Sequence, residues 1–153
     1  MNSWRATVQH IVLAFAVMLL PGAATFAQDK SAAPLRVVLK GHDPVAYFTE
    51  GKPVKGVPEI AYDWDGERYL FSSAANRSKF VADPDRYAPR FSGYCTGSMS
   101  RGVRAEGNPE AWIIADGKLY VFGGVKFRDI AASDRQQLTA WIDGASSHHQ
   151  GKK

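Results

Sequence analysis

The feature that most constrains this chain is a pair of Asp-Gly turns, each set among alternating apolar residues. In "EIAYDWDGERYLFSS", Ile60, Tyr62 and Trp64 alternate ahead of Asp65-Gly66, and Tyr69 and Phe71 follow. In "EAWIIADGKLYVFGG" the turn is Asp116-Gly117, with Tyr120 and Phe122 beyond it. A two-residue Asp-Gly loop suits the left-handed backbone of a tight hairpin, and period-two alternation gives each strand one apolar face. Two antiparallel hairpins are therefore expected, with their aromatic residues facing the core. Glu59, Asp65, Gly66, Tyr69 and Phe71 recur as Glu110, Asp116, Gly117, Tyr120 and Phe122, each 51 positions later. The recurrence reads as one turn-and-pleat chemistry used twice, with an internal duplication as the alternative.

Helices are expected around these hairpins. Before the first, "LRVVLKG" reads as a short strand and "HDPVAYFTEGKP" as a helix start, with Asp43 as N-cap and Pro44 at the first position. After it, "SSAANRSKFVADPDRY" reads as a helix capped by Ser72 or Ser73 that stops near Asp83-Pro84, where a further helical turn can begin. The segment from Phe91 to Gly102 reads as loop with one helical turn. "SDRQQLTAWIDG" reads as a final helix, with Ser133 and Gln136 at capping-box spacing, Leu138, Trp141 and Ile142 on one face, and Gly144 as its stop. The fold class is thus α+β, a single small domain of two hairpins packed with two to three helices.

The first residues point to export. Arg5 precedes an apolar run from Ile11 to Leu20, Pro21-Gly22 breaks it, and Thr25-Phe26-Ala27 offers small residues for cleavage. The run is too short for a permanent membrane anchor, which needs roughly 20 residues. Residues 1–27 are expected to be a signal peptide, and the periplasm or the exterior is the expected location. Residues 28–35 follow as a flexible mature N-terminus, 36–144 as the folded domain, and 145–153 as a disordered tail. A net charge of +4 is too mild to imply a nucleic-acid partner. One cysteine excludes an intrachain disulfide, so the stability of a chain that is 45% hydrophobic must come from packing.

The strings "GHDPVAYFTEGKPVKG" and "YLFSSAANRSKFVADPDRYAPRFSGYC" resemble the YHS domain family, and more closely its exported single-domain bacterial branch. The resemblance joins a D-P-V helix start, a Y-x-F-S-S strand end, an N-R-x-x-F helix, a D-P-x-x-Y-A-P turn and a G-Y-C loop, in that order. It implies a metal-binding module. The short form of the family looks like D-P-V-C-G-M followed by Y-x-F-C-S-x-x-C. Here those cysteine positions hold Ala46, Ser72 and a residue near Ala75 or Asn76.

The one thiol, Cys95, lies instead in the G-Y-C loop. If that segment is helical, Met99 lies one turn further on the same face, and two soft sulfurs suit Cu(I). His42 is the histidine expected inside the fold. Cys95, Met99 and His42 are therefore the candidate metal ligands, with copper the first candidate ion and a small ligand the other kind of partner. Each has a plainer reading: Cys95 as a buried small hydrophobe, Met99 as core filler and His42 as a surface residue before a cap. Arg86, Arg90, Arg101 and Arg104 flank Cys95 with no acid between Arg86 and Ala105. They read as a solvated basic face, or, if aimed at Cys95, as a field favouring an anionic ligand. Tyr47, Tyr87 and Tyr94 are candidates to line a pocket there. The functional expectation is an exported binding module without enzymatic activity. A periplasmic interaction protein with Cys95 buried is the alternative, and a thiol-dependent enzyme pairing Cys95 with His42 is the third reading.

Overall fold

The structure, a computed structural model, describes residues 33–149. The expected signal peptide, residues 28–32 of the expected flexible segment and residues 150–153 of the tail lie outside the described residues. Among the described residues the architecture is α+β, as expected: two separate two-stranded antiparallel sheets, three helices of nine or more residues and three single helical turns.

The first half opens with a tight turn, Val38–Gly41, where a strand was expected. Leu39, Lys40 and Gly41 have φ of 53°, 51° and 80°. The turn buries Val38 and Leu39 side by side, which an alternating strand cannot do. A helical turn α1 (Ala46–Thr49) follows, then strands β1 (Val57–Trp64) and β2 (Glu67–Phe71). Asp65 and Gly66 take the expected positive φ, 51° and 75°. Helix α2 (Ala74–Ala82) is capped by Ser73, whose Oγ accepts the Asn76 N–H. The turn α3 (Pro84–Tyr87) starts behind Asp83, as Asp-Pro predicts.

The second half comprises a turn over Arg90–Gly93, a helical turn α4 (Thr96–Met99), strands β3 (Asn108–Ala115) and β4 (Lys118–Phe122), and helix α5 (Val125–Ser133). It repeats the first half. Phe91, Ser92 and Gly93 reproduce the left-handed turn, with φ of 55°, 55° and 73°. β1–β2 and β3–β4 share one register, including the same irregularity between Val57 and Ala61 and between Asn108 and Trp112. The His42–Lys55 bridge is matched by Tyr94–Glu106. The Asp43 N–H donates to Val54 O, and the Cys95 N–H to Ala105 O. Shared hairpin chemistry explains the turns but not this set of non-local matches. The recurrence read in the sequence is part of a structural repeat spanning both halves.

Helix α6 (Arg135–His149) begins where α3 begins in the first half, behind an aspartate 51 positions after Asp83, but runs far beyond that single turn, and it corrects three expectations. Its start is capped by Asp134, whose Oδ1 accepts the Gln137 N–H, while Ser133 ends α5 and donates its Oγ–H to Asp129 O. Gly144 is no stop: a Cβ there would lie 2.9 Å from Ser100 O, so glycine lets α6 pass close over the end of α4. The helix runs on to His149 with Ala145 fully buried, where a disordered tail was expected from residue 145. Packing against α4 supplies the stability that composition does not reveal. The expected α6 face is present, with Leu138, Trp141 and Ile142 packed into the second core. Helix α5 was missed because Val125, Phe127 and Ile130 are exposed, leaving no apolar periodicity, and Gly124 gives no side-chain cap.

Two cores result. The first gathers Leu39, Tyr47, Tyr69, Phe71 and Phe80 with Leu119 and Val121 of β4; the second holds Phe91, Met99, Tyr120 and Phe122 beneath α6. Arg36 clasps the halves together. Its guanidinium donates to Glu67 Oε1 at 2.9 Å, to Glu106 at 2.7 and 3.1 Å and to Ser92 O at 3.0 Å, and lies 4.1 Å over the Tyr94 ring.

Candidate functional site

Asp43 is fully buried, so its carboxylate must find donors inside the protein. It finds five. Oδ1 accepts the N–H groups of Val45 (2.8 Å) and Ala46 (3.4 Å), capping α1. Oδ2 accepts the Ser72 N–H (2.9 Å), the Ser72 hydroxyl (2.7 Å) and the Asn76 amide (2.8 Å). The knot ties the start of α1 to the end of β2 and to α2. The sequence reading found Asp43 only as a cap. Ala46, Ser72 and Asn76, at or beside the positions where the short form resembled above carries thiols, converge here on one carboxylate.

In the second half Cys95 stands where Asp43 stands in the first, by the matched backbone bonds to Val54 and Ala105. Gly123 and Phe127 stand where Ser72 and Asn76 stand, at the 51-residue spacing of the hairpins. No polar knot forms. Instead there is a cavity of about 60 Å³ lined by Cys95, Gly97, Ser98, Arg101, Gly123, Phe127 and Trp141. That volume admits an ion with small ligands or a few waters. The small residues keep it open: a methyl on Gly123 would sit 3.6 Å from Cys95 Sγ, and one on Gly97 would sit 3.6 Å from the Trp141 ring. Cys95 is 4% exposed, so the thiol forms the wall and not the rim.

Met99 lies one turn beyond Cys95, as the spacing required, with its N–H donating to Cys95 O at 2.8 Å. Its side chain is buried in the second core and does not line the cavity. His42 belongs to the first half. Its Nδ1 is 2.9 Å from Leu39 O, and burial, with Lys55 and Lys40 adding to it, lowers its pKa below the usual imidazole value despite that carbonyl and Glu110. The cavity thus takes Cys95 alone of the three candidates. Among the described residues no cluster of three or more His, Cys, Asp or Glu side chains could hold a metal.

The three tyrosines go elsewhere. Tyr47 is buried edge-on to Trp112 and donates its hydroxyl to Pro109 O, Tyr87 packs against Phe48, and Tyr94 lies under Arg36. Of the four arginines, Arg101 lines the cavity. Trp141 and Phe127 were missed as lining residues. Extending the 51-residue spacing from the hairpins to Ser72 and Asn76 would have pointed to Gly123 and Phe127.

Comparison with known families decides the class. Residues 45–91 match the family model of the YHS domain. Over these residues the chain is similar to the YHS domain. The match runs from α1 through α3 into the turn that opens the second half, so it includes Ser72 and Asn76, begins just after Asp43 and stops just before Cys95. Metal binding is the property attributed to YHS domains as a family. No curated protein and no solved structure matches the chain.

Proposed function

We propose that this chain is an exported YHS-domain module that binds a soft metal ion, cuprous copper first, in the cavity walled by Cys95. The observation that carries the reading is the exchange of roles between the halves. On the Asp43 side both carboxylate oxygens are already spent within the knot. At the matching place in the second half a soft donor faces an open cavity. A thiolate suits Cu(I), and binding must displace the thiol proton, so affinity rises with pH. Arg101 opposes the approach of a cation, so salt that screens it strengthens binding. Binding is favoured over thiol chemistry because, among the described residues, the cavity is lined by no histidine that could serve as a base. Export rests on Arg5, the Ile11–Leu20 run and Thr25-Phe26-Ala27. Intact mass of the protein recovered from its host should begin at Gln28, and a product retaining Met1 removes this part of the reading.

The metal claim is tested by titrating the purified protein with Cu(I) against a chromogenic cuprous chelator. One equivalent should be withheld from the chelator by the native protein, and none by Cys95→Ser. Met99→Leu and His42→Ala, both outside the cavity's lining, should withhold copper as the native protein does. Equal competition by native protein and Cys95→Ser rejects the site. The low exposure of Cys95 favours one second reading, an interaction protein in which this thiol only fills space.

A further inference from the structure

The rim of the cavity differs in character from its wall. Val103, at the tip of the turn after α4, is 55% exposed, and Phe127, in the first turn of α5, is 48% exposed. Phe127 lines the cavity, as does Arg101, and the Val103 N–H donates to the carbonyl of Ser98, another lining residue, so the turn that carries Val103 is tied to the cavity wall. Cations flank each of them. Arg101 and Arg104 bracket Val103, and Lys126 precedes Phe127; all three are exposed and none forms an ion pair among the described residues. The acids nearest in sequence are taken, Glu106 by Arg36 and Asp129 by Arg128. At the position matching Phe127 the first half has Asn76, turned inward to Asp43.

We propose that this rim docks on an anionic bilayer surface. Single apolar side chains on separate elements, each beside a cation, suit an interface that accepts side chains one at a time and carries continuous negative charge. Docking there would turn the mouth of the cavity toward the membrane. An acidic protein surface, the other anionic partner, is an outcome of the test. The inference rests on the rim alone and is independent of what the cavity holds.

The test is co-sedimentation of the full chain, as its host processes it, with vesicles of phosphatidylcholine alone or with added phosphatidylglycerol, in copper-free buffer. At about 1 kcal/mol per surface cation, the three cations should favour anionic vesicles by on the order of a hundredfold, and high salt should abolish the preference. Arg104→Glu and Lys126→Glu should each lower partition at least fivefold, and Val103→Ser and Phe127→Ser should also lower it, all without moving the melting temperature. Equal partition onto the two vesicle types overturns the proposal, as does unchanged partition in the variants. Capture by soluble polyglutamate through the same residues, with vesicles left unbound, also overturns it and assigns the rim to an acidic protein.

Discussion

The two halves share a backbone plan and have parted in what they put on it. In the first, a buried carboxylate gathers Ser72, Asn76 and two backbone N–H groups into a closed knot. In the second, the same place holds a thiol, a glycine and an aromatic ring around a cavity. The cores diverge in the same sense. Trp64 and Phe80, packed edge-to-face in the first half, are matched by Ala115 and Ala131 in the second, where a groove of about 420 Å³ remains beside Leu138 of α6. One half is filled and internally satisfied, the other kept open and covered by α6, the long version of the single turn α3. A repeated unit can thus fill the place in one copy and leave it open in the other, where binding is proposed.

The largest break in this comparison should come from Asp43→Ala. It strands the Ser72 hydroxyl, the Asn76 amide and backbone donors in the interior, and should cost about 3–5 kcal/mol in denaturant unfolding. Cys95→Ala, at the matching place, should cost under about 1 kcal/mol because its neighbours are small and a cavity already exists. Equal costs would show that the halves do not divide the labour in this way.

Next is the clasp. Arg36→Ala leaves Glu67 buried without its partner and frees Ser92 O, and should cost about 2–3 kcal/mol. Of similar size, Gly56→Ala and Gly107→Ala each bring a Cβ to 2.5 Å of an atom of β2 or β4, and should cost about 1–3 kcal/mol by overpacking. Gly56→Ala should be the worse, since its nearest neighbours are backbone and those of Gly107 include the Val121 side chain. Gly123→Ala, which meets only Cys95 Sγ at ordinary contact distance, should leave stability within about 0.5 kcal/mol while narrowing the cavity.

The smallest effect expected is on pH dependence. Burial lowers the pKa of His42, and burial with Arg90 and Arg104 lowers that of His149. A lowered imidazole pKa means that the unfolded chain binds the proton more readily. Stability is therefore full above the ordinary histidine pKa of about 6.5 and falls as pH drops through the lower folded values. Melting temperatures between pH 7.5 and 5 should decline, and His42→Gln should flatten part of the decline. A rise in stability on acidification would contradict the burial of these rings.

Much of the fold was legible because hairpins and caps are local. Asp65-Gly66, Asp116-Gly117, Ser73 and Asp83-Pro84 behave as their immediate neighbours dictate. What escaped depends on packing between distant segments. Val38 and Leu39 leave a strand conformation because both must reach the core, and α6 persists past Gly144 because Ser100 lies beneath it. Of the residues that line the cavity, Cys95 and Arg101 were legible. Met99 has the right spacing, but its side chain turns into the core, a choice that helical periodicity leaves open. The Asp43 knot needs residues 29 and 33 positions away from the carboxylate, beyond any local signal.

The account stands most directly on the availability of Cys95 in the folded protein. Alkylation of the native chain by a small iodoacetamide reagent, followed by intact mass with and without one equivalent of Cu(I), reads it in one experiment. The account predicts slow labelling of the native protein through the cavity, and its suppression by Cu(I). Labelling that appears only after denaturation, or that proceeds at the same rate with Cu(I) present, would contradict it.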